Sequence, residues 1–195
     1  MSFRRPCRRA VFLDRDGVLV EDTDYVHRVR ALRVLPGAAE AVRRLNKAGL
    51  KVVVVSNQSG VGRGFFSLRT LQRINRALKE RLDRGGARLD ALYYCPHPPA
   101  GKGGKGCACR KPRTALIERA AKRFGIELGG CYMVGDSTTD LVTARNAGCV
   151  GILVRTGKGG RDGRFKAKPH VVCRDLLEAV EWILRNLSKT SYARK

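Results

Sequence analysis

Asp14 and Asp16 stand two residues apart in the run Asp14-Arg-Asp16-Gly17-Val18. On an extended stretch that ends in a flexible glycine, both carboxylates can turn into one pocket. Two more aspartates come much later, in Gly135-Asp136-Ser-Thr-Thr-Asp140, and a hydroxyl and two amides lie between them in Ser56-Asn57-Gln58. With Asp136 beside Asp14 and Asp16, several oxygen ligands surround a point suited to Mg²⁺, a hard cation that keeps some water and bridges to substrate phosphate. Each group alone has an ordinary reading, because an aspartate after a strand is commonly a turn or N-cap residue. Their convergence marks a site, and Lys111 in Cys109-Arg110-Lys111-Pro112 adds a cation to it.

A second constellation is Cys95-Pro-His97 followed, after nine residues, by Cys107-Ala-Cys109. Three thiols and an imidazole form an ordinary tetrahedral set for structural Zn²⁺. The intervening loop is too polar and glycine-rich to fold by burial, and a metal supplies the missing constraint. Zinc held at Cys107 and Cys109 would also fix Arg110 and Lys111, which follow directly. Cys7, Cys131, Cys149 and Cys173 read as small core or surface residues, and His27 and His170 as packing or surface histidines. Gly101-Lys-Gly103-Gly-Lys-Gly106 has dinucleotide-binding spacing, but it follows prolines and runs into Cys107 instead of a helix. Gly157-Lys158 lacks the rest of a Walker loop.

The elements that must position these groups alternate. Ala10 to Leu13 and the valine-rich Lys51 to Val55 read as buried strands, joined by a helix on which Ala38, Ala41, Val42 and Leu45 recur. Ser67 caps a longer helix with Leu71, Ile74, Leu78 and Leu82 on one stripe. A strand over Leu89 to Tyr94, the Cys95 to Lys111 loop and a helix from Pro112 follow. A strand over Tyr132 to Val134 and a helix from Thr138 to Ala147 come next. Strands Gly151 to Val154 and His170 to Cys173 and a helix over Leu176 to Leu187 complete the chain. This alternation predicts an α/β fold, a doubly wound, Rossmann-like parallel sheet with helices on both faces. One domain over residues 1–195 is expected, with the zinc loop at 95–111 and a frayed tail from about 188 to 195. The Asp14, Ser56 and Asp136 motifs all fall at strand carboxyl ends, where such sheets hold their ligands.

The 40 Lys and Arg exceed the 17 Asp and Glu by 23 charges, which invites a nucleic-acid reading. The basic residues are scattered, however, over Arg4, Arg5, Arg8 and Arg9, the helices, Lys102 to Arg113, and Arg155 to Lys168. Few aromatics interleave with them for base stacking. A small phosphorylated substrate also gains from such a field, and nucleic acid is not the expected partner. No apolar run is long enough to span a bilayer. The run Ala10 to Leu13 stops at Asp14, too short for a secretion signal, so a reduced, cytoplasmic protein and a monomer are expected.

Together these motifs resemble the haloacid dehalogenase superfamily of aspartate-nucleophile phosphatases. They are most similar to its small zinc-bearing branch of histidinol-phosphate phosphatases and heptose bisphosphate 7-phosphatases. The similarity to the heptose enzymes runs through Phe12-Leu-Asp-Arg-Asp-Gly17, Tyr25-Val26, Ser56-Asn-Gln-Ser-Gly60, Arg63-Gly64, Tyr93-Tyr-Cys-Pro-His97, Cys107-Ala-Cys-Arg-Lys-Pro112, Tyr132-Met-Val-Gly-Asp136 and Val154-Arg-Thr-Gly-Lys158. Val18 and Ser56 stand where threonine is frequent; Ser56 keeps the hydroxyl.

The resemblance implies a sugar bisphosphate phosphatase of nucleotide-activated heptose and lipopolysaccharide biosynthesis. In it, Asp14 is the nucleophile that forms an aspartyl-phosphate, Asp16 is the acid and base, and Mg²⁺ is held by Asp14, Asp136 and the Asp16 main chain. It further implies that Ser56 and Lys111 bind the transferring phosphoryl group and that Asp140 orients Lys111 or a metal water. Arg63 and Arg110 would meet the second phosphate; Asp22, Tyr25, Asn57 and Gln58 would meet sugar hydroxyls. Histidinol phosphate is the alternative small substrate, and a nucleic-acid end phosphatase the more distant one.

Overall fold

Val52 to Val55 are fully buried, the pattern of a strand covered on both faces. They form the centre of β2 (Lys51–Asn57). The other strands are β1 (Ala10–Leu13), β3 (Ala91–Cys95), β4 (Tyr132–Gly135), β5 (Val150–Val154) and β6 (Val171–Cys173). All pair in parallel, in the order β3-β2-β1-β4-β5-β6. The computed structural model describes residues 8–101 and 106–192. Arg4, Arg5, Cys7, the interior of the Gly101 to Gly106 run and the last three residues of the expected tail lie outside that description.

The helices are α1 (Ala38–Lys47), α2 (Leu68–Arg84), α3 (Ala115–Phe124), α4 (Thr138–Asn146) and α5 (Leu176–Tyr192). Side chains alternate along a strand, and this divides the core. Val11, Leu13, Val52 and Val54 pack with Ala41, Leu45, Ile74, Leu78 and Ile183, from α1, α2 and α5. Ala10, Phe12, Val53 and Val55 pack on the opposite face with Leu116, Ile117, Ala120 and Ala144, from α3 and α4. The expected α/β class, with helices on both faces of a parallel sheet, is the observed one.

Strand order reverses between β1 and β4, so a crevice opens at their carboxyl ends. Asp14 and Asp136 each follow one of these two strands directly.

Four boundaries differ by two residues or more from the sequence expectations. β2 continues to Asn57 because Ser56 and Asn57 still pair with Tyr94 and Cys95. β3 begins at Ala91, two residues late: Asp90 N–H still donates to the Val52 carbonyl at 2.8 Å, but the Val52 N–H goes to the Asp90 side chain at 2.9 Å, which also takes the Lys51 Nζ at 2.6 Å. α3 begins at Ala115, since Pro112 and Arg113 belong to a turn closed by Arg113 N–H on the Arg110 carbonyl. The tail expected to fray from residue 188 is helical as far as Tyr192. No glycine or proline interrupts that stretch, and its polar composition does not stop a helix already formed.

Candidate active site

The carboxylate oxygens of Asp14, Asp136 and Asp140 lie within 4.8 Å of one another. Asp14 leaves β1 with its N–H on the Val134 carbonyl of β4 at 3.0 Å, so the two strand ends are tied at the crevice. Lys111 enters from the zinc loop and is 4% exposed. Its Nζ donates to Asp140 Oδ1 at 2.7 Å and lies 2.8 Å from Asp14 Oδ2. Burial works against the ammonium charge, but the two carboxylates outweigh it and hold the Lys111 pKa above the ordinary lysine range. The second oxygen of Asp140 accepts from Ser137 N–H at 3.2 Å and Ser137 Oγ at 2.6 Å, a capping box that starts α4. Both Asp140 oxygens are committed and it does not line the cleft, whereas Asp14, whose Oδ1 accepts the Arg15 N–H at 2.6 Å, and Asp136 both do.

Asp136 is built to receive a cation. Burial, and then the charge of Asp14, push its carboxyl up to about 7, the signature of negative charge without enough compensation. Its Oδ2 accepts the Lys158 N–H at 2.7 Å. Gly17 and Gly157 press against the same oxygen: a Cβ would stand 2.4 Å from it at Gly17 and 2.3 Å at Gly157, and both residues have positive φ. The donor chemistry and the uncompensated charge fit Mg²⁺.

Asp16 is held apart from this cluster. Arg15, 1% exposed, forks onto it, with Nε 3.1 Å and Nη2 2.9 Å from Oδ1. Gln58 Nε2 donates to Asp16 Oδ2 at 2.7 Å and to Ser56 Oγ at 2.9 Å. This corrects the expectation for Gln58, whose buried amide supports Asp16 and Ser56 and does not line the cleft. Asn57 stands in the cleft wall and is also tied back: its Nδ2 donates to the Lys111 carbonyl at 3.2 Å and its Oδ1 accepts the Lys111 N–H at 3.0 Å. Its amide fastens the lysine's backbone.

The cleft holds about 330 Å³, and Asp14, Asp16, Asp22, Tyr25, Ser56, Asn57, Arg110, Lys111 and Asp136 all reach its wall. Arg63 does not: it is exposed and outside the wall, close enough only for its charge to act on Arg110. The sequence reading missed Arg15, Asp162 and Arg164, and gave Lys158 no role. Lys158 carried a signal, the Val154-Arg-Thr-Gly-Lys158 run; its Nζ lies 3.3 Å from Asp22 Oδ2. Arg164 and Asp162 carried none, because a loop without periodicity brings them in, pinned by Thr138 N–H and Oγ1 on Asp162 at 2.7 and 2.8 Å.

Beside the cleft, Cys95, His97, Cys107 and Cys109 meet. The sulfurs are 3.2 to 3.5 Å apart, and His97 Nδ1 is 3.3 Å from Cys109 Sγ. Zn–S bonds of about 2.3 Å around a tetrahedron need S···S edges of about 3.8 Å, a few tenths of an ångström wider than this spacing. Burial and the neighbouring thiols raise the Cys95 thiol. At Cys107 burial acts the same way, but hydrogen bonds from Cys95 and Cys109 prevail and bring it to about 7. The donor set fits Zn²⁺. Arg110 Nη1 donates to the His97 carbonyl at 3.1 Å and Arg113 Nη1 to that of Cys107 at 2.9 Å, so the loop end and its cations form one unit.

Paired aspartates at the switch point of a doubly wound sheet, clamped by a buried lysine, are the layout of an aspartate-based α/β hydrolase. Residues 11–80 match the family of haloacid dehalogenase-like hydrolases, and residues 108–179 the HAD-hydrolase-like family. A D-glycero-D-manno-heptose-1,7-bisphosphate 7-phosphatase of Thermosynechococcus vestitus is 43% identical over 93% of this chain and 98% of its own. The D,D-heptose 1,7-bisphosphate phosphatase of B. bronchiseptica, solved with magnesium and phosphate, superposes with a TM-score of 0.81 at 38% identity, covering 92% of this chain and 99% of that one. The corresponding enzyme of Burkholderia thailandensis gives 0.68 at 31% identity, over 91% and 99%. The chain belongs to the haloacid dehalogenase-like hydrolases, in the family of the heptose 1,7-bisphosphate 7-phosphatases.

Proposed function

We propose that this chain removes the 7-phosphate of D-glycero-D-manno-heptose 1,7-bisphosphate, in the biosynthesis of nucleotide-activated heptose. One observation carries the reading beyond family membership: the Asp14, Lys111 and Asp136 cluster opens into a cleft whose wall also presents Arg110 and Arg164. A bisphosphate needs a reacting pocket and a second cationic group, and this cleft has both. Histidinol phosphate, with one phosphate and a cationic far end, would be repelled by those arginines.

Asp14 attacks phosphorus and forms an aspartyl-phosphate. Asp16 protonates the departing sugar oxygen, then takes a proton from the water that hydrolyses the intermediate. Lys111 Nζ and Ser56 Oγ donate to the transferring oxygens, with Asp140, Asn57 and Gln58 holding these donors in place. Asp14 and Asp136, with the Asp16 main chain, would hold Mg²⁺, which when bound neutralises charge between carboxylate and phosphate. Cys95, His97, Cys107 and Cys109 would hold structural Zn²⁺ that stiffens the loop presenting Arg110 and Lys111. Arg110 and Arg164 meet the spectator phosphate; Asp22 and Tyr25 face the sugar.

The walls of the cleft come from one chain lying on a continuous sheet, so a single-domain monomer suffices. Among the described residues no helix is long and apolar enough to cross a membrane, and the free thiols suit a reducing cytoplasm, where we place the enzyme. Phosphate release across a panel tests the reading: the heptose bisphosphate, the same sugar's monophosphates, histidinol phosphate and 3′-phosphorylated oligonucleotides. Highest kcat/KM on the bisphosphate is expected. A preference for either of the last two overturns the substrate while sparing the phosphatase chemistry.

A further inference from the structure

Arg15 is buried as deeply as the apolar core, and a guanidinium there must find partners for its N–H groups. Nε and Nη2 fork onto Asp16, and Nη1 donates to Asn75 Oδ1 on α2 at 3.1 Å. Asn75 is itself 9% exposed, on the helix stripe formed by Leu71, Ile74 and Leu78. Its Nδ2 has no partner among the described residues. A buried donor left unpaired destabilises a fold, and a leucine at this position would remove that cost. What a leucine cannot supply is the acceptor for Arg15. A guanidinium is planar, so holding Nη1 on one side fixes the plane of the fork on the other.

We propose that Asn75, outside the cleft, is a positioning residue for Asp16, aligning Arg15 so that its fork holds the Asp16 carboxylate at the angle proton transfer requires. This rests on the acid/base reading of Asp16 given above. Proton transfer needs the heavy atoms within hydrogen-bond reach, and a carboxylate tethered by a tilted fork loses that reach without leaving the site. Asp14, Lys111 and Asp136 do not contact Asn75, so phosphoryl transfer that needs no acid is spared.

The test compares two substrates on the same protein sample: a phosphorylated sugar, whose alkoxide must be protonated as it leaves, and p-nitrophenyl phosphate, whose phenolate need not be. Since kcat/KM covers steps only up to the aspartyl-phosphate, the ratio between substrates reports acid assistance and cancels any fraction of misfolded enzyme. Asn75→Leu and Arg15→Lys are expected to lower kcat/KM on the sugar phosphate by about ten- to a hundredfold and on the aryl phosphate by less than about threefold. Asn75→Asp retains the acceptor oxygen and is expected to stay within about threefold of wild type on both. Equal losses on both substrates, full activity of Asn75→Leu on the sugar, or failure of Asn75→Asp to restore it would overturn the proposal. Asp16→Asn is measured alongside. If Asp16→Asn discriminates between the substrates and Asn75→Leu does not, the relay is wrong and the acid/base reading stands; if Asp16→Asn does not discriminate, both fall.

Discussion

Arg110 and Lys111 are neighbours in the chain with opposite surroundings. Lys111 is buried between Asp14 and Asp140. Arg110 has no carboxylate partner among the described residues; burial, then the charge of Arg164 and, more weakly, that of Arg63 lower its pKa, partly offset by Cys95 and Cys107. Cations that converge without a counter-ion form a place for an anion. Charged hydrogen bonds of guanidinium to phosphate contribute roughly 1.5–3 kcal/mol. Arg110→Ala is therefore expected to lower kcat/KM for the bisphosphate by about ten- to a hundredfold and leave the 7-monophosphate of the same sugar nearly unchanged. Equal losses on both, in steady-state assays, would assign Arg110 to the reacting phosphoryl group.

The zinc loop between β3 and α3 is the element on which this arrangement depends. It has little apolar surface to bury, and its end is fastened by Arg110 on the His97 carbonyl and by Asn57 on the Lys111 backbone. Replacing Cys107 by alanine should abolish the proposed zinc binding and lower activity by about ten- to a hundredfold, as loss of supporting ligation does elsewhere. Metal analysis of reduced protein, paired with kcat/KM, checks this; full activity without zinc would show that the loop holds itself.

The strands and helices were legible because apolar periodicity is local, and Asp14, Asp16, Asp136 and the Cys–His set because they sit in short runs at strand ends. Gln58 was placed at the substrate for a physical reason. Its motif shows that amides are near the site, and only the folded chain shows that the Gln58 amide turns to Asp16 and Ser56 while Asn57, in the cleft wall, is also fastened to the Lys111 backbone. Asp162, Arg164 and the Arg15 to Asn75 contact depend on residues brought together from distant parts of the sequence.

Over the whole chain the cationic residues of the cleft are a small part of the surplus of 23 positive charges. Such a field raises the encounter rate of a doubly phosphorylated substrate and is screened by salt. kcat/KM for the bisphosphate should fall by about threefold or more between low and high ionic strength, and less for p-nitrophenyl phosphate. Equal salt dependence for both would separate the net charge from function. In the proposed mechanism the fold, the cleft and the field all serve one covalent event at the carboxyl end of β1. Rapid quenching of the turning-over enzyme, followed by borohydride reduction and peptide mass spectrometry, tests it most directly. The aspartyl-phosphate is expected at Asp14, reduced to the alcohol, and absent from Asp14→Asn, which should not turn over. Reduction at another carboxylate, or turnover by Asp14→Asn at the wild-type rate, would contradict the account.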